Sequence, residues 1–240
     1  MSPCIIELMS SEGAGKFLRP INNPEEWKQL LAKPDKHWKT GYSAKTLAYC
    51  WQETGDFPPE VREVLHNSGI GVFKDIEMLI ALPEYKVPLP GGLRASQNDI
   101  FILAKGNEQL VSITVEGKVS EPFGDRVSEW RARSKGGREV RFRYLCELLA
   151  LDTATVGHIR YQLLHRTASA LIEAKRFNAS HALMLVHSFG LHNEGFEDYE
   201  QFLALFDVMG KVGSLVFVRN INGIKLYFGW VKGDERYLGK

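Results

Sequence analysis

Four Glu-x-Lys triplets recur along the 240-residue chain: Glu26-Trp27-Lys28, Glu84-Tyr85-Lys86, Glu116-Gly117-Lys118 and Glu173-Ala174-Lys175. A carboxylate and an ammonium two residues apart act together on a strand, where positions i and i+2 share a face. On a helix the same spacing turns them about 200° apart. The first and last triplets fall in segments predicted to be helical, and the second lies on an extended piece with no Asp-led hairpin before it. The third ends a strand, and Asp99 stands at the start of the strand that precedes it. Asp99 and Glu116 would then form a carboxylate pair beside Lys118. Hard oxygen ligands of this kind hold Mg2+ or Mn2+, and a neighbouring ammonium can orient a water or offset developing negative charge. A plainer description also fits the three residues: a turn aspartate and a solvated strand face.

The order helix, strand, strand, strand, helix, strand over residues 70–190, with Asp99 entering the middle strand and Glu116-Gly117-Lys118 ending the third, resembles the PD-(D/E)xK nuclease superfamily. That resemblance implies an α/β fold with a restriction-endonuclease-like core, a mixed central β-sheet flanked by helices. It implies hydrolysis of nucleic acid, with DNA the expected form, by Asp99 and Glu116 as ligands of Mg2+ (or Mn2+) and Lys118 as the group that positions water. Asn98 stands where the family has proline before the aspartate, and Gly117 is the middle residue of the triplet. Neither departure removes a ligand, and the glycine is compatible with a bulge.

Superfamily members carry a glutamine or a basic or aromatic residue on the helix after the Glu-x-Lys strand, and Gln162, His165 and Arg166 are similar to that set. The usual Gln-x-x-x-Tyr pattern is not met, because position 166 is arginine. Periodicity puts these three with His158 and Ser169 on the narrow polar stripe of a helix from Gly157 to Arg176, whose broad arc is apolar. The stripe is either the wall of a cleft or simply the wet face of the helix. Between the two motifs, Arg126, Arg131, Arg133, Lys135, Arg138, Arg141 and Arg143 stand against Asp125, Glu129 and Glu139, a local net charge of +4 in a chain whose total is +1. Arg131, Arg133, Lys135 and Arg138 are the residues expected to contact phosphates, with Trp130 as a stacking surface. Mixed-charge helix pairs with Trp130 in the core are the alternative.

These residues need a scaffold, and the sequence predicts one. Asn23 with Pro24 opens a helix to Lys33, Ser43 and Pro58-Pro59 open two more, and Val72 to Ile80 forms a short fourth. Prolines 83, 88 and 90 confine Glu84 to Val87 to an edge or to strand ends. Ile100 to Ala104 and Gln109 to Val119 read as strands joined by the turn Lys105-Gly106-Asn107-Glu108, the second with Val111, Ile113 and Val115 facing the core and Ser112, Thr114, Glu116 and Lys118 on a polar face. Two helices between Gly124 and Ala150, the Gly157 helix, a buried strand Ala182 to Val186, a helix Phe196 to Met209 and two short strands complete the chain. The organisation expected is one domain: a helical N-terminal extension (1–69), a nuclease-like core (70–190), and a C-terminal helix with short strands (191–240).

Composition sets the outer limits. With 44% hydrophobic residues and near charge balance, the chain can bury a core, and it is not a protein that coats polyanions through bulk charge. Cys4, Cys50 and Cys146 have no metal-knuckle spacing, so a reducing, cytoplasmic setting is expected, and no apolar run is long enough to span a membrane. A homodimer is compatible with the sequence. Gly13-Ala14-Gly15-Lys16 fails the phosphate-loop pattern at both ends, and His181, His187 and His192 lack ligand spacing. The rival function is a non-catalytic scaffold that keeps the fold and uses Trp38, Tyr42, Tyr49 and Trp51 as a partner surface.

Overall fold

The structure is a computed structural model and describes residues 21, 23–133 and 136–240. Cys4, the segment 13–16 and Lys135 lie outside the described residues. The scaffold is a six-stranded mixed open sheet in the order β1-β2-β3-β4-β6-β5. The strands are β1 (Glu77–Val87), β2 (Ser96–Gly106), β3 (Gln109–Lys118), β4 (His181–Ser188), β5 (Ser214–Ile221) and β6 (Ile224–Lys232). β1, β2 and β3 form an antiparallel meander, β4 joins β3 in parallel, β6 joins β4 in parallel, and β5 returns antiparallel on β6.

Pro83 lies inside β1, which is an edge strand, as a residue without a backbone N–H requires. The hairpin between β2 and β3 has φ of 46° at Asn107 and 60° at Glu108, the two positive values a tight primed turn needs. The expected helix over Val72 to Ile80 is cut short. Only Gly71–Lys74 is helical, and Glu77 onward belongs to β1, where Met78 and Ile80 pair with Ala104 and Leu103. Pairing with β2 overrides the local pattern.

Helices cover both faces of the sheet. On one lie α1 (Pro34–His37), α2 (Ser43–Thr54), α3 (Pro59–Asn67) and α4 (Gly71–Lys74), preceded by a 3-10 turn over Pro24–Leu30. Leu47, Trp51, Val61, Leu65 and Phe73 pack there with Ile100, Ile102, Val111, Ile113 and Leu185 in one buried cluster. The described part of the expected N-terminal extension is therefore a layer of the sandwich. The opposite face carries α5 (Val127–Ala132), α6 (Gly137–Leu149), α7 (Tyr161–Arg176) and α8 (Phe196–Ala204). Its cluster joins Phe142, Leu163, Ala170, Phe202, Met184, Val186, Phe228 and Trp230. No helix among the described residues is long and apolar enough to cross a membrane.

Of the aromatic residues expected to offer a partner surface, Trp51 is fully buried, the Trp38 indole (2.9 Å) and the Tyr49 hydroxyl (2.7 Å) donate to the Glu25 carboxylate, and Tyr42 is exposed. The polar face of β3 is also not solvated: every residue from Val111 to Lys118 is buried, and Ser112, Thr114 and Glu116 bond to α7. Ser112 Oγ donates to the Ala170 carbonyl at 2.8 Å, and Thr114 Oγ1 to that of Arg166 at 3.2 Å. α7 begins at Tyr161, four residues later than the periodicity predicts, and His158 is exposed in the turn before it.

Candidate functional site

The site begins where strand pairing ends. β2 and β3 are laddered as far as Ile100 and Val115, so Asp99 and Glu116 are the next opposed positions. On the other side of β2, the pairs Pro83–Ile100 and Tyr85–Asn98 set Glu84 opposite Asp99. Three successive strands thus carry three acids at one level. Glu84 has a φ of 50°, uncommon for a residue with a side chain. It is buried, and its carboxylate accepts from Gln97 Nε2 at 2.6 Å. It belongs to the Glu-x-Lys triplet that lacked a preceding hairpin, and the pairing of β1 with β2 delivers it.

The Glu116 carboxylate takes three donors. Oε1 accepts from Lys118 Nζ at 2.9 Å and from Gln162 Nε2, while Oε2 accepts from Arg166 Nε. Lys118 also donates to Gln162 Oε1 at 2.9 Å and lies over the Phe123 ring. Asp99 is differently placed: Oδ2 accepts the Gly117 amide at 2.8 Å, while Oδ1 has Arg166 Nη2 at 3.6 Å. One guanidinium therefore serves both acids, and Asp99 Oδ1 keeps spare accepting capacity. Gly117 points its Cα at α2, where a Cβ would sit 3.1 Å from Leu47 Cδ2. Its role is close approach, and the strand runs through it without a bulge in the β3–β4 register.

The two acids titrate in opposite directions. Burial pushes the Asp99 carboxyl well above the usual range, and the Glu116 and Glu84 charges push it the same way against Arg166. Its side chain keeps 20% exposure and lines a cavity. Burial also disfavours ionised Glu116, but Arg166 and Lys118 together outweigh that and hold its pKa below the usual value. His165 is kept neutral, first by burial and then by the Arg166 charge, with Nδ1 2.7 Å from Ser96 Oγ.

All six residues expected at the site, Asp99, Glu116, Lys118, Gln162, His165 and Arg166, line one cavity of about 570 Å³. Its other walls are Lys36 and His37 of α1, the start of α2, and the segment Glu121 to Asp125. Five acids line it (Glu84, Asp99, Glu116, Glu121, Asp125) against three permanent cations (Lys36, Lys118, Arg166). Glu121 is spent on the α2 N-terminus, accepting from Ser43 N at 2.8 Å, and Asp125 pairs with Arg133. The excess of acid therefore rests on Glu84, Asp99 and Glu116. Glu84 and Glu121 escape a linear reading because their positions depend on strand register and on a helix start 78 residues away.

Among the described residues, the basic stretch does not line this cavity. Arg131 and Arg143 share Glu139, and Arg131 also lies 4.0 Å over Phe142. Arg133 is held by Asp125, and Arg138 donates to the Trp130 carbonyl. Trp130 stacks on Tyr161, centroids 3.8 Å apart.

A second polar group lies across the sheet. Among the described residues, Cys50, Glu60 and His187 have ligand-type atoms within 4.8 Å of one another. The Trp51 indole donates to His187 Nδ1 at 3.0 Å. An indole N–H cannot accept, so the neutral ring carries its proton on Nε2 and donates to Glu60 Oε1 at 3.1 Å. A metal on Nε2 would need that proton moved to Nδ1, against the indole N–H. The group is a hydrogen-bonded chain, and burial keeps its histidine neutral and its thiol strongly protonated.

No curated protein and no solved structure matches this chain. A family match does exist and spans residues 20–235, both helical layers and all six strands. The chain belongs to the family described as a domain of unknown function, DUF6946.

Proposed function

We propose that the protein is a divalent-metal-dependent phosphodiesterase acting on nucleic acid, with Asp99 and Glu116 as the metal-holding acids and Glu84 beside them. The observation that carries this reading is the row of three acids on three adjacent strands, with Lys118 two residues after Glu116, all opening on one cavity whose lining is net acidic. The antiparallel meander β1–β2–β3, the helical crossover through α7 and the parallel return of β4 support reading the sheet as a restriction-endonuclease-like core. The donor set suits Mg2+ or Mn2+, which take carboxylate oxygens and keep several waters. Such an ion would supply a hydroxide and neutralise charge on the phosphoryl oxygens.

The protein's own groups have separable tasks. Gln162 holds the Glu116 carboxylate and the Lys118 ammonium in one hydrogen-bonded unit, which fixes Lys118 for orienting a water. Arg166, shared by both acids, is placed to meet a phosphate when a second cation takes up part of their charge. His165 enters as a neutral hydrogen-bonding ring.

One observation favours a second reading, a scaffold without catalysis: both Glu116 oxygens are already taken by Arg166, Lys118 and Gln162, a closed ion-pair network. The deciding experiment incubates the protein with single- and double-stranded DNA and RNA in Mg2+ or Mn2+, beside Asp99→Asn. Cleavage by the native protein and its loss in the variant, with an undiminished melting temperature, is the expected result. Equal cleavage by both, or none by the native protein on any of these substrates, selects the scaffold.

A further inference from the structure

A smaller cavity of about 230 Å³ lies behind the Trp130–Tyr161 stack, lined by Gly91, Gly92, Arg94, Trp130, Arg138 and Arg141 among others, with no acid in its lining. Its chemistry differs from that of the basic residues around it. Arg131, Arg133 and Arg143 each pair with a carboxylate. Arg141 is 7% exposed, and its bonds go to neutral carbonyls: Nε to Pro90 O at 2.8 Å, and Nη2 to Leu89 O and Gly92 O, each at 3.3 Å. Arg138 donates to a carbonyl and lies over Trp130 at 5.4 Å. Among the described residues neither of them, nor Arg94, has a carboxylate partner. Carbonyl dipoles alone do not balance a buried guanidinium, which calls for an anion.

The backbone is shaped for the same purpose. Gly91 and Gly137 approach so closely that a Cβ on either would overlap the carbonyl oxygen of the other. This contact seats the Gly91-Gly92 turn against the start of α6, where amide N–H groups have no helical acceptor. Three guanidiniums, two glycines and a helix start thus border a space roomy enough for a small oxyanion.

We propose that this second cavity binds a phosphate group. Its linkage to the larger cavity through Tyr161, which lines one and stacks on the Trp130 of the other, makes it a holder for a backbone phosphate of the strand cleaved at the larger cavity. That assignment rests on the nuclease reading, whereas the phosphate site itself does not.

The test measures anisotropy of a fluorescein-labelled single-stranded oligonucleotide in EDTA over a salt series, so that binding is read without cleavage. Arg94→Ala with Arg138→Ala should weaken binding about tenfold and flatten the salt slope by about 0.7 per lost contact. Arg94→Ala alone, at an exposed position, should give a smaller loss in the same direction, while Arg62→Ala, which removes a distant charge, should change nothing. Inorganic phosphate titrated as a competitor separates the sources. If phosphate binds the native protein but not the double variant, and the oligonucleotide is unaffected by the substitutions, the site takes free phosphate and its placement on a nucleic acid strand is overturned. Unchanged binding of both probes in the double variant overturns the site. Binding of the oligonucleotide in EDTA without cleavage in Mg2+ overturns the nuclease reading and leaves the phosphate site standing.

Discussion

Two buried polar networks hang from neighbouring positions on the same strands and face opposite ways. On the α7 side, Glu116 and Lys118 meet Gln162, Arg166 and Asp99. Between them on β3, Gly117 lies in register with His187, which on the other face joins Trp51, Glu60 and Cys50. The second network carries the single charge of Glu60, held by hydrogen bonds from His187 and Cys50: each His187 nitrogen has one partner of the right kind, and the histidine and thiol are both held uncharged by burial. The first carries full charges, three acids against two cations once the neighbouring Glu84 is counted, an acid whose ionisation is opposed, and a cavity beside it. Burial of polar groups is common to both. What separates a site from a brace is charge that the protein leaves incompletely answered next to open space.

That contrast can be broken by substitution. The largest effect is expected from Glu116→Gln, which strands Arg166 in the interior with only half of its anionic partners. Breaking a buried pair by removing one partner costs about 3–5 kcal/mol, readable as a drop in the urea midpoint. Next comes His187→Phe, which leaves the Trp51 indole N–H without an acceptor, at about 1–3 kcal/mol. It carries a pH signature. Burial lowers the folded pKa of His187 and of His165, so the unfolded chain binds more protons and native stability should fall as pH drops below about 6.5. The variant should show a shallower fall in a pH series of thermal melts, and an identical slope would mean His187 is charged in the fold. Smaller and opposite in sign is Asp99→Asn. Because the folded pKa of Asp99 is raised, its ionisation opposes folding at neutral pH, and the variant should melt higher at pH 7, with the gain vanishing near the unfolded pKa of about 4. A destabilised Asp99→Asn protein would place Asp99 in the bracing class with His187. The least effect on stability belongs to Arg94→Ala, exposed and unpaired, which should leave the melting temperature unchanged.

Much of the larger site could be read in advance because its members obey local rules. Alternation put Glu116 and Lys118 on one face of β3, the hairpin brought Asp99 alongside, and helical periodicity grouped Gln162, His165 and Arg166. What stayed hidden was long-range or depended on irregularity. Glu84 arrives through the register of an edge strand that contains a proline, and through a positive φ that no two-residue period anticipates. The polar face of β3 looked solvated because alternation reports which side differs, not what covers it, and α7 covers it. The basic run was legible as charge, but its division into arginines paired with acids and the carbonyl-bound Arg138 and Arg141 depends on where single acids such as Glu139 fall in space, and Arg94, which joins the latter two, lies outside the run.

Glu25 offers a last consequence. This half-exposed carboxylate takes the hydroxyl of Tyr49 on α2 and the indole at the end of α1, and α1 is the element that brings Lys36 and His37 to the mouth of the larger cavity. It works as a mooring line: slack in it would let one wall of the mouth swing while the strands beneath stay put. Glu25→Ala should therefore widen the opening without loosening the sheet, since it leaves the core residues Ile21 and Trp27 in place.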